Sequence, residues 1–190
     1  MRLVCAVIVL LFAARAGAQD LGVRLDGDQL RIATPDLRFL GAEAARRLRN
    51  GASVDYVFQI SVSTERRGAP LAQAIYRFVF SYDLWEEKYA VALVQPSARS
   101  VSNLSAAAAE SWCLESIRVP VEGLPADRAL WLRFEYRLIE PPDADVGNTS
   151  GFTLSGLIDI FSRRNPRRPE GGLKEAGPFR LADLRRSGNR

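Results

Sequence analysis

The sequence predicts a mainly β (α+β) domain: a single antiparallel sheet or a two-layer β-sandwich of about seven strands, with two to three helices packed on it. Three observations carry this expectation. Residues 54–94 contain three consecutive runs in which apolar and polar side chains alternate with a period of two, which puts one face on a core and the other toward water. Residues 130–138 contain a further, longer run of the same kind. Only two segments, near 34–50 and 100–112, combine capping residues with helical spacing of apolar side chains.

In chain order, Leu21–Leu25 and Gln29–Ile32 flank Asp26-Gly27, a strong hairpin signal because both residues tolerate positive φ. Both runs are short, so the hairpin belongs at a sheet edge. A helix is expected next, with Thr34 as cap, Pro35 at its first position and Asn50-Gly51 at its exit. Leu37, Leu40, Gly41, Ala44 and Leu48 would form its apolar stripe. Arg46, Arg47 and Arg49 then fall at the negative end of the helix dipole, as a solvated last turn rather than an anion site.

The meander follows. Val54, Tyr56, Phe58, Ile60 and Val62 mark its first strand, Tyr76, Phe78, Phe80, Tyr82 and Leu84 its second, and Tyr89, Val91 and Leu93 its third. Ser100 or Ser102 is placed to cap a second helix running to about Trp112, with alanines 106–109 making it intrinsically favourable. Ile117–Val121 reads as a short strand that Pro120 restricts to an edge. In the longest strand, Leu130, Leu132, Phe134, Tyr136 and Leu138 alternate with Trp131, Arg133, Glu135 and Arg137, so its outer face is charged with paired signs. Pro141-Pro142 ends it, and Leu154–Phe161 has the spacing of a short amphipathic helix. Residues 163–175 have the Arg, Pro and Gly content of a flexible linker, and 178–184 offer a short docking strand.

Domain organisation follows from these elements. Residues 1–18 read as a signal peptide: Arg2 supplies the positive start, Leu3–Ala14 is apolar, and Ala16-Gly17-Ala18 fits a cleavage site, giving a mature start at Gln19. The apolar run is too short to serve as a transmembrane helix, which needs about 20 residues. Residues 19–162 form the single β-rich domain and 163–190 a basic tail. Lysine is nearly absent among the 26 basic residues, a bias that fits a bacterium with a GC-rich genome and hence a periplasmic or secreted location. Loss of Cys5 with the signal peptide leaves Cys113 alone, read as a small buried apolar residue. The body, residues 19–161, carries 15 basic and 19 acidic side chains, whereas residues 162–190 carry 9 basic and 3 acidic.

The inventory argues against most catalytic classes. The chain has no histidine, which removes the usual general base, zinc ligand and partner of a serine or cysteine nucleophile. Lys88 lies among Glu86 and Glu87, which themselves face opposite ways on a strand, so neither a lysine base nor a carboxylate pair is singled out. No glycine-rich phosphate loop is present, and Asp143–Asn148 lacks the glutamate that a calcium loop requires. The expectation is therefore no enzyme, no cofactor and no metal. Tyr82-Asp83-Leu84-Trp85 with Tyr89 is an aromatic-dense turn of the kind that anchors interfaces, although alternation assigns Tyr82 and Leu84 to the core, with Trp85 covering the turn. Arg163, Arg164, Arg167 and Arg168 permit weak peripheral contact with an anionic membrane, but Pro166 and Pro169 prevent a basic amphipathic helix. Nucleic acid is not an expected partner in an exported compartment.

The stretch Arg77–Tyr89, with the order signal peptide, hairpin, helix ending at Asn50-Gly51, long strand, and the Leu124-Pro125 loop before a final strand, resembles the uncharacterised bacterial exported family known as domain of unknown function 4390. The resemblance spans about residues 20–162 and implies an order of elements; it implies no activity. The function expected is an exported, non-enzymatic interaction or binding module acting beside cell-envelope proteins. A small periplasmic carrier enclosing an apolar ligand and a hydrolase without histidine are the alternatives.

Overall fold

The computed structural model describes residues 21–34, 37–139 and 170–187. Among them the elements run β1 Gly22–Asp26, β2 Gln29–Ala33, α1 Ala42–Arg49, β3 Val54–Ser63, β4 Ala72–Asp83, β5 Lys88–Gln95, β6 Arg99–Leu104, α2 Ala106–Ser116, β7 Val119–Pro120, β8 Leu130–Ile139, β9 Gly171–Phe179 and α3 Leu181–Ser187. They form two antiparallel sheets, one of three strands in the order β1-β2-β7 and one of six in the order β6-β5-β4-β3-β8-β9. The class is the α+β, mainly β one that the alternation predicts; the nine strands exceed the expected count. No described helix is long and apolar enough to cross a membrane.

The six-stranded sheet grows from β3. Its inward residues Tyr56, Phe58 and Ile60 are fully buried and stand directly opposite Phe78, Tyr76 and Ala74 on β4, and Leu138, Tyr136 and Phe134 on β8. Phe39, from the segment before α1, is driven into the middle of this face, with ring centroids 5.2 Å from Tyr56, 5.0 Å from Phe58 and 5.9 Å from Phe80 at near-perpendicular angles. Such edge-to-face contacts add about 0.5–1.5 kcal/mol each beyond area burial. The small sheet, α1 and α2 join the same core through Leu30, Ile32, Ala44, Leu48, Ala109 and Cys113. The opposite face carries the charges: Arg77 binds Asp55 across β3–β4, and Glu135 pairs with both Arg133 and Arg137 on β8.

Several boundaries differ from expectation. The first helix starts at Ala42 with Gly41 as cap, not at Thr34, because Leu37 and Phe39 are spent on the core and the chain must stay extended to deliver them. The amides of that extended segment are satisfied from a distance: Phe39 N–H and Leu40 N–H donate to Glu110 Oε1 at 2.7 and 2.9 Å. The second helix is capped by Ser105, whose Oγ accepts from Ala108 N–H at 3.2 Å, and not by Ser100 or Ser102. Those serines lie in β6, where Val101 opposes Val91 and the serines alternate outward. Pro120 does sit on an edge strand, β7, as its missing N–H requires.

The largest correction concerns the tail. Residues 171–175, expected as flexible linker, form the first half of β9, which pairs with β8 along the sheet edge; residues 181–187 are helical rather than a docking strand. Composition concealed this strand because its glycines are there for space. Gly172 lies opposite Tyr136, and a Cβ on it would meet the Tyr136 hydroxyl and ring at 2.6–2.7 Å. Glu170, just before β9, also locks this segment to the body, its carboxylate accepting from Glu43 N–H at 2.9 Å and Ala44 N–H at 3.2 Å at the start of α1. The segments expected as a signal peptide at 1–18, as a helix at 154–161 and as a polar connector at 143–148, and the four arginines 163, 164, 167 and 168, lie outside the described residues.

Candidate functional site

Buried acids are the first place to look for chemistry in a chain without histidine. Glu110 is almost fully buried, and it takes two backbone N–H groups on one oxygen while the other lies 3.7 Å from Arg38 Nε. Glu170 takes two further N–H groups from α1. Between them Tyr56 donates its hydroxyl proton to the Phe39 carbonyl at 2.8 Å, and its other near neighbour is Glu170 Oε2 at 3.5 Å. Burial, followed by the Glu170 charge, raises the Tyr56 phenol above its ordinary value. Each of these polar atoms is occupied in holding the segment 37–44 on the sheet, so the cluster is a structural clamp. Among the described residues no three metal-ligating side chains converge.

Cys113 is buried in α2, and burial, with the Glu110 charge adding to it, raises its thiol well above the ordinary range. A thiol held protonated in an apolar site is a poor nucleophile.

The β4–β5 hairpin has the opposite character. Asp83 ends β4 and accepts from Trp85 N–H at 2.8 Å and Glu86 N–H at 3.0 Å, folding the chain back at once. These two bonds, Glu86 first, lower the Asp83 carboxyl below its ordinary value. Glu87 completes the reversal at φ 52°. Tyr82 and Tyr89 are direct cross-strand partners with ring centroids 4.9 Å apart, edge to face, and both are half-buried. Beyond them the tip projects: Leu84 is 56% exposed and Trp85 96% exposed. The sequence assigned Leu84 to the core and made Trp85 a cover for the turn; the structure contradicts both, because Asp83 turns the backbone before Leu84 can follow the inward register of Phe78 and Phe80.

A cleft of about 440 Å³ opens beside this tip, lined among others by Tyr82, Asp83, Glu86, Lys88, Tyr89 and Asn103. It meets a second groove of about 320 Å³ over the outer face of β4, β5 and β6, the two sharing Ser81, Ala90 and Ser102. Asn103 adopts φ 62° at the end of β6, where the β5–β6 register also shifts. Among the described residues no ion pair or hydrogen bond engages the side chains of Glu86, Glu87 and Lys88 or the hydroxyls of Tyr82 and Tyr89. Of the predicted site the structure pairs Tyr82 with Tyr89 at the cleft, while Trp85 projects from the turn between them. Leu84, Glu86 and Asn103 were missed. The aspartate at the strand end was the available signal for the first two; nothing local marked Asn103.

No protein-family model matches the chain, and neither a curated protein nor a solved structure matches it.

Proposed function

We propose that this protein is an exported, non-enzymatic interaction module, and that it docks on an envelope protein through the β4–β5 hairpin tip. Trp85 carries the reading. A chain that packs Tyr56, Phe58, Phe78, Phe80 and Phe134 fully inside leaves the most exposed large apolar side chain among the described residues, together with Leu84, on a turn held by two Asp83 hydrogen bonds. Tryptophan and tyrosine dominate the energetics of protein interfaces because each buries much area at small entropic cost. Occupation of the Glu110 and Glu170 carboxylates by backbone amides supports a non-catalytic role, and the edge-to-face filling of the core supports docking over enclosure of an apolar ligand. The signal-like residues 1–18 support a periplasmic or secreted location, and membership of the domain of unknown function 4390 family is proposed on the Arg77–Tyr89 resemblance.

A photoreactive phenylalanine analogue at position 84, in cells exporting the full chain, should give discrete protein adducts. The same group at Leu71, also apolar and exposed but on the β3–β4 turn at the other end of β4, should not. Equal adduct patterns from the two positions, or none from 84, would remove the proposal.

A further inference from the structure

Resting on that reading, the chemistry around the tip narrows the partner. The exposed apolar surface of Leu84 and Trp85 is flanked in sequence by Asp83, Glu86 and Glu87, with Lys88 the one cation among residues 83–89. Asp83 is committed to its turn, whereas Glu86 and Glu87 form no ion pair among the described residues, so two exposed carboxylates without a bonded cation follow the exposed Trp85 in the same turn. The Tyr82–Tyr89 pair adds two aromatic rings and two unengaged hydroxyls to the adjoining cleft, where Glu86 also lies.

We propose that the tip receives an arginine-bearing segment of a partner protein, a guanidinium stacking on Trp85 and bonding to Glu86 or Glu87. A guanidinium is planar and weakly hydrated, stacks on aromatic faces, and offers paired N–H donors matched to a carboxylate. Lysine would satisfy the charge without the stacking or the fork. An anionic lipid surface is disfavoured by the same two glutamates, which like-charge repulsion would hold away from it.

The test uses the full exported chain and a tetra-arginine peptide, with tetra-lysine and tetra-glutamate peptides and phosphatidylglycerol vesicles as the other arms. Calorimetry should show saturable arginine-peptide binding that falls at least about tenfold in the Glu86→Gln/Glu87→Gln double variant and in Trp85→Ala, weakens with added salt, and exceeds lysine-peptide binding. All three substitutions are at exposed positions, and unchanged thermal midpoints verify that they leave the fold intact. Absence of saturable binding overturns the assignment, as does binding that ignores the double variant or a stronger response to vesicles or to tetra-glutamate. If position 84 still yields its protein adducts while tetra-arginine does not bind, the cationic partner is wrong and the docking role stands; if both fail, both fall.

Discussion

At the scale of single residues, Glu110, Glu170 and Tyr56 anchor backbone, and the tyrosine under the first helix is the sharpest case. Tyr56 spends its hydroxyl proton on the Phe39 carbonyl and lies beside Glu170. Because burial raises its folded-state value above the ordinary 10.0, the folded chain holds that proton more tightly than the unfolded one. The associated stability is complete below pH 10.0 and declines as pH climbs from there toward the folded value. Tyr76 and Tyr136 are shifted in the same direction, again mainly by burial. Urea unfolding should therefore show stability falling with pH above 10.0. Tyr56→Phe should cost about 0.5–1.5 kcal/mol at neutral pH through the lost hydrogen bond, the Phe39 carbonyl keeping its bond from Gly41 N–H, and should shallow the alkaline decline. An unchanged neutral stability would show that the hydroxyl holds nothing. None of this was legible beforehand: alternation put Tyr56 in the core, but no sequence pattern pairs it with a carbonyl from Phe39 or a carboxylate from residue 170. Cys113 was legible, since a lone thiol in an alanine-rich helix is read most simply as core.

At the scale of elements, strands were legible where one face is buried and one is wet, as in β3, β5 and β8, where the period of two reports the environment directly. It failed where local chemistry overrides the period. Asp83 stops β4 one residue before Leu84. Ser100, Val101 and Ser102 satisfy a strand and a helix cap equally well on paper, and pairing with β5 decides the matter. β9 was invisible because Gly171, Gly172, Gly177 and Pro178 depress strand propensity, yet each of the first two glycines fits where a Cβ would strike Tyr136 or its backbone. The carboxylate of Glu170 ties the start of this strand to α1, and Gly41 leaves the room for it, since a Cβ there would collide with that carboxylate. Glu170→Ala should cost about 1 kcal/mol in urea unfolding, as loss of a helix cap does. Glu170→Gln, which retains an acceptor oxygen, should recover part of it. Equal losses in the two variants would mean that charge at the helix terminus, not hydrogen bonding, is the larger contribution.

At the scale of the whole molecule, six strands bury one face beneath a second layer made of the small sheet, α1, α2 and the Phe39 segment, while arginine–carboxylate pairs occupy the other. This arrangement separates stability from the proposed recognition: the clamp residues lie inside and the aromatic tip stands outside the core. Separation of that kind means the tip can be altered without unfolding the protein, because surface substitutions away from caps and packed groups change stability by no more than about 0.5 kcal/mol. The decisive measurement is photo-crosslinking from position 84 in the full chain carrying Trp85→Ala, with the thermal unfolding midpoint recorded on the same preparation. The account predicts an unchanged midpoint and loss of the protein adducts seen with Trp85 present. Adducts that persist undiminished, or a midpoint that drops with their loss, would contradict it.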